Sequence, residues 1–318
     1  MRKSLSLIGI FLVIFAVATN FQNLSDWYVL KNYNPHAEVV KMADDTTMTD
    51  NAREVFYINK PMFDDKKAFS EHCTVAEQSI ILGCYIERKG IFVLNVDEPK
   101  LAGVMQVTSA HELLHSAYDR LPRKEKSKID AEIQKAYEGV KNPRIRKNVE
   151  AYKAKDPSSV PNELHSILGT EVADLSPELE QYYSKYFSDR QKIVKYSSNY
   201  EQAFVSIQDQ VEGYDKQLES LKATIDQNQN DLKELSDGLA SKRRDIEQGI
   251  AVGRGEELNP QIDSFNSAVS SYNSLLNKTK DQIETYNSII AKRNELVTEE
   301  KSLMQAIDAN INPLETTQ

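Results

Sequence analysis

His111-Glu112-Leu113-Leu114-His115 is an H-E-x-x-H pentad, a spacing that can do chemistry. On a helix, positions i and i+4 lie one above the other on the same face. Two imidazoles so placed can grip one zinc ion, and the glutamate beside the first of them reaches the water that the metal holds. The surrounding residues suit a helix. Val104 to Leu121 contains no proline or glycine, and Val107, Ala110, Leu114, Ala117 and Leu121 recur at helical spacing before Pro122. The spacing predicts a helix at the edge of a core, with both histidines beside its apolar stripe.

A catalytic zinc needs a third protein ligand and an open position. Leu121 stands where a third histidine six residues after His115 would extend the motif. Further on lies Asn162-Glu163-Leu164-His165-Ser166, and this segment together with the pentad resembles the gluzincins, the thermolysin-like zinc peptidases. In that family the ligand glutamate follows an asparagine and precedes a small residue three positions on. The small residue lets the second zinc helix pack closely on the first. The resemblance covers two short segments of a 318-residue chain. It implies a zincin-like α+β catalytic domain with a small mixed sheet and two zinc helices, with His111, His115 and Glu163 holding Zn2+ and Glu112 as the catalytic base. It further implies a peptide or protein substrate, laid along an edge strand of that sheet.

The chain departs from the family at Ile167, where the pattern carries an aspartate that orients a zinc histidine. Asp119, Glu171 and Asp174 are the candidates for that supporting role. Glu171 and His165 also compete with Glu163 for the metal. Glu171 lacks a small residue three positions on, and His165 points about 200° away from Glu163 around one helix, so both cannot bind one ion. Tyr118, Tyr137, Tyr152 and His165 are the candidates for stabilising an oxyanion. Two other functions fit the same residues. One is a zincin-like scaffold without turnover whose helical arm is a cell-surface spacer or assembly element. The other is a hydrolase of cell-wall amides. Glu112 argues against the silent scaffold, because zinc binding alone does not require it.

The elements that must position these residues fall into two parts. Met1-Arg2-Lys3 precedes Ser4 to Phe21, a run without charge that reads as a signal peptide or an N-terminal membrane anchor. Ala16-Val17-Ala18 offers a cleavage site, and Arg2 and Lys3 keep their end cytoplasmic, so the rest is expected to be exported. The net charge of −9 argues against a nucleic-acid partner. In an exported protein, Cys73 and Cys84 are expected to form one disulfide, worth about 2.5–3 kcal/mol by loop closure.

Residues 22–196 read as the catalytic domain. Pro35 to Ala43 is expected to be a short helix, and Thr49 caps a second that runs to Val55. Val55 to Asn59, Ser79 to Ile86 and Ile91 to Val96 read as strands, the last two joined by a turn over Glu87-Arg88-Lys89-Gly90. Lys124 to Lys155 is helical in pattern, and Ser176-Pro177 starts a further helix rich in tyrosine. Residues 197–310 keep three- and four-residue apolar steps from Ile207 to Ile246 and again from Ile262 to Ile307, with Asn228 and Lys242 in seam positions. Gly253, Gly255 and Pro260 interrupt the run, which predicts a coiled-coil helical hairpin with a short tail at 311–318. Such a seam could also support self-association or a protein partner.

Overall fold

A computed structural model describes residues 21–73 and 81–309. The chain is α+β, with a small three-stranded mixed sheet among many helices and one very long helix. The N-terminal run called a signal peptide or anchor lies outside the described residues apart from Phe21. Among the described residues no helix is long and apolar enough to cross a membrane.

Three helices open the described residues: α1 (Phe21–Asn32), α2 (Ala37–Asp45) and α3 (Asp50–Ile58). Thr49 caps α3, its hydroxyl accepting from the Ala52 N–H at 3.3 Å. Val55 to Asn59 is not a strand but the last turns of this helix. Ala52 and Phe56, four apart, are both fully buried, and Asn59 closes the end by donating its amide to the Val55 carbonyl at 2.7 Å. A short apolar run fits either period, and the helix cap decided it.

The third strand is instead β1 (Met62–Asp64), followed by α4 (Lys66–His72), β2 (Gly83–Ile86) and β3 (Gly90–Leu94). The sheet order is β1-β3-β2, with β1 parallel and β2 antiparallel to β3. Every residue of β3 is buried. Ile91 and Val93 face the main core, whereas Phe92 and Leu94 face a second cluster with Phe69, Cys73 and Ala309. That second cluster encloses the Cys73–Cys84 disulfide, whose Cα atoms are 6.0 Å apart.

Against the other face packs α5 (Val104–Asp119), and α8 (Val160–Glu171) packs on α5, with α6 (Arg123–Gly139) and α7 (Pro143–Lys155) against α8 and α9 (Pro177–Tyr183) against α6. The stretch expected to be helical from Lys124 to Lys155 is two helices. Asn142 caps the second by accepting from the Arg144 N–H at 2.9 Å, and Pro143 follows at its first position. Ser176 caps α9 in the same manner.

By compactness the chain divides into two units. One runs to Ala203 and takes in the chain again from Leu303; the other is Phe204–Ser302. The division thus falls inside α10 (Arg190–Ala251), a 62-residue helix whose first turns belong to the first unit, rather than at residue 196. The second unit is an antiparallel helical hairpin made by α10 and α11 (Asn259–Ile307). Asp215 pairs with Arg293, Asn228 donates to Gln282 at 2.6 Å, and Lys242 meets Ser264, so one arm descends as the other climbs. Between the arms Gly253 takes a φ of 83°, a left-handed turn that glycine accepts without strain. From Leu303 the chain rejoins the first unit, where Leu303, Ile307 and Ala309 are buried and Lys66 bonds the Gln305 carbonyl.

Candidate metal centre

Helices α5 and α8 pack against each other, and small residues set how close they come. A Cβ added at Gly169 would stand 2.4 Å from the Leu114 Cδ1 atom, so the helices approach through that glycine. Ser166, one turn beyond Glu163, is fully buried. The pentad lies in the middle of α5, with Leu113 and Leu114 fully buried and the two histidines at the margin.

From these helices His111, His115 and Glu163 converge, each offering one ligand atom within 4.8 Å of the others. The Nε2 atoms of both histidines stand 3.7 Å from the Glu163 Oε2 atom. That is too long for a hydrogen bond. A tetrahedral ion with bonds of about 2.0–2.1 Å separates neighbouring ligand atoms by about 3.3 Å, close to what is seen. The Glu163 Oε2 atom is buried and has no hydrogen-bond partner, though a carboxylate oxygen in that state is costly. A cation between the three side chains would satisfy it. The residues present therefore fit a metal ion. Burial alone would push the Glu163 carboxyl up, but the facing His111 and His115 imidazoles and the Tyr152 hydroxyl hold it below the ordinary glutamate range.

The orientation of His115 is set from α8. Its Nδ1 atom lies 2.9 Å from the Asn162 Oδ1 atom, and the Asn162 amide donates onward to Asp119 at 3.3 Å. With the amide so turned, Nδ1 carries the proton and Nε2 presents its lone pair to the centre. The supporting residue is thus Asn162, with Asp119 behind it. Asn162 was visible in the sequence only as the residue before Glu163.

The competing residues are placed elsewhere. Glu171 is held by Arg144 at 2.6 Å, and that arginine also bonds Glu201 of α10. Asp174 is exposed. His165 is fully buried and turned into a nest of tyrosines, its Nε2 atom 2.8 Å from the Tyr182 hydroxyl. Burial first, and then the neighbouring His115 and His111 imidazoles, push its imidazole down to about 3, so it stays neutral. Tyr118 donates to Asp130 at 2.8 Å, and the ring of Tyr137 sits under the Arg146 guanidinium. Tyr152 alone of the candidate oxyanion donors faces the centre. Burial and the neighbouring Glu163 and Glu112 carboxylates raise its phenol, so it remains a donor.

Glu112 is buried on α5, 6% exposed, beside the triad. Burial pushes its carboxyl up to about 7, with Glu163 adding to the effect, while His115 and the Tyr85 backbone N–H oppose it. That N–H belongs to β2, one of the two edge strands. Leu82 turns its carbonyl toward β3, so by the alternation of a strand Gly83 and Tyr85 turn their backbone groups to the free edge, on the Glu112 side. A Cβ at Gly83 would stand 2.9 Å from the Glu112 Oε1 atom and 2.5 Å from the Thr108 Cγ2 atom. Neither Gly83 nor Tyr85 was singled out from the sequence. A glycine inside a strand marks a place where something approaches closely, and that was the available signal.

No protein-family model, no curated protein and no solved structure matches the chain.

Proposed function

We propose that the protein is a zinc-dependent peptidase of the gluzincin kind, exported or anchored by its N-terminal run. The observation that carries this reading is the convergence of His111, His115 and Glu163 on an unsatisfied carboxylate oxygen, with the buried Glu112 carboxyl beside them. When bound there, zinc would supply Lewis-acid polarisation of a carbonyl and would bring the pKa of water toward about 7.

The chain's own residues have separable tasks. Glu112 takes one proton from the attacking water as its oxygen joins the carbonyl carbon, and returns a proton to the amine nitrogen as the C–N bond breaks. A carboxyl poised near neutrality suits both halves of that exchange. Tyr152 keeps its proton and donates a hydrogen bond to the oxygen on which negative charge develops. Among the described residues the outer edge of β2 is unpaired and offers the Gly83 backbone and the Tyr85 carbonyl to an extended chain, the Tyr85 N–H being engaged by Glu112, which favours a peptide over a compact substrate.

The test is digestion of a mixed peptide library by zinc-loaded protein. Cleavage that chelation stops and zinc restores is expected. Full zinc occupancy with no cleavage of any peptide would overturn the peptidase reading and leave the silent scaffold and the cell-wall amide hydrolase.

The same account makes Gly83 a positioning residue. In Gly83→Ala the new methyl would drive β2 away from α5 and disturb the Tyr85–Glu112 contact. We expect kcat to fall on the order of 10- to 100-fold, with zinc content and helicity unchanged. An unaltered kcat would remove β2 from the mechanism.

A further inference from the structure

Helix α1 has two unlike faces. One is tied to the body of the protein. Val29, Leu30 and Tyr33 are partly buried, and Asp26 receives two bonds from the Arg120 guanidinium at 2.6 and 3.4 Å. The opposite face carries Leu24, Trp27, Tyr28 and Lys31, a spacing of three, four and seven that makes one continuous stripe. Leu24, Trp27 and Tyr28 are 50%, 59% and 65% exposed, and the Lys31 Nζ atom lies 5.0 Å over the indole ring. Single exposed apolar residues need no explanation, but a contiguous stripe with two large aromatic rings does.

The chain just before the helix says what covers it. Ser4 to Phe21 holds no charged residue, follows Arg2 and Lys3, and ends at the first residue of α1. Tryptophan and tyrosine just beyond an apolar run of that length concentrate where lipid headgroups meet water, because each ring has an apolar body and a polar tip. A lysine beside them can lay its stem along the rings and keep its ammonium in water. Aliphatic, aromatic and cationic side chains on one stripe thus match the successive layers of a membrane surface.

We propose that the Leu24–Trp27–Tyr28–Lys31 face of α1 seats in the headgroup region of the membrane that the preceding run enters. Asp26 and Arg120 then transmit that seating. Arg120 lies directly after α5, the helix that bears His111, Glu112 and His115, so the paired side chains hold the metal centre at a set orientation to the lipid surface. The inference needs the apolar run to remain attached, but it does not depend on zinc or on hydrolysis.

Trp27 is the only tryptophan in the chain and reports on this directly. The full chain would be reconstituted in nanodiscs of phosphatidylcholine, with and without lipids brominated in the upper acyl region. We expect Trp27 emission to be blue-shifted, to resist aqueous iodide, and to lose most of its intensity to the brominated lipid. Trp27→Phe supplies the background, and Leu24→Ser combined with Tyr28→Ser should shift the emission back to the red. Emission open to iodide and indifferent to brominated lipid would overturn the proposal. So would protection from iodide without lipid quenching, which would assign the stripe to a protein partner or a second copy. Recovery of the chain cut after Ala18 and unbound to lipid would also overturn it.

Discussion

Glu112→Gln is expected to abolish hydrolysis while the protein keeps its zinc. The amide matches the carboxylate in size and fills the same buried site beneath Gly83, so α5 and the sheet have no reason to move. It cannot accept and return a proton, however. General-base catalysis contributes roughly 10²- to 10⁴-fold, so kcat should drop by about that factor with KM little changed. The three ligand side chains are untouched, and metal analysis of the same sample should show wild-type zinc. Retained turnover in Glu112→Gln would mean that another group handles the proton.

The second large effect concerns stability after chelation. In the fold, burial raises the Glu112 carboxyl to about 7 from an ordinary 4.5. A carboxyl raised in the native state binds its proton more tightly folded than unfolded. Its contribution is therefore fully present below about pH 4.5 and is lost as pH climbs through 7. A shift of that size corresponds to about 3 kcal/mol. Glu163 is lowered, so its own contribution runs the opposite way and is lost as pH falls. Chelated Glu112→Gln should thus outlast chelated wild type in urea at pH 8 by about 3 kcal/mol. The gap should close near pH 4, where the wild-type carboxyl is protonated in both states. Adding zinc should restore wild type at pH 8, since a ligand that binds only the folded protein stabilises it. Equal urea midpoints at pH 8 would show that Glu112 is not strained by burial.

Much of this arrangement is legible in the residues themselves. A pentad with four-residue spacing between its histidines and an unbroken apolar stripe specifies a helix and puts both imidazoles on one face. Asn162-Glu163 with Ser166 marks the second helix, and two cysteines eleven apart reach each other. The glycines and proline near residue 255 fold the long heptads back. These features are local, set by period and by backbone chemistry.

What was not legible depends on contacts far apart in sequence. Val55 to Asn59 reads as a strand by its apolar run, and the helix that Thr49 caps carries on through it, with Ala52 and Phe56 one turn apart in the buried core. The true third strand, Met62–Asp64, is three residues long, too short to show a period. That Glu112 lies against Gly83 and the Tyr85 N–H requires the packing of β2 on α5, which no window of sequence contains. The return of the chain to the first unit from Leu303, which brings Ala309 against Phe92 and Leu94 of β3, was likewise invisible, because the apolar steps continue through Met304 and Ile307.

Zinc content of purified protein tests the central claim most directly. Wild type and Glu171→Ala should each carry one zinc per chain, because Glu171 is engaged with Arg144 and takes no part in the centre. His115→Ala and Glu163→Ala should each lose it, while circular dichroism shows the helices intact. Full zinc occupancy in either of those two proteins would contradict the account.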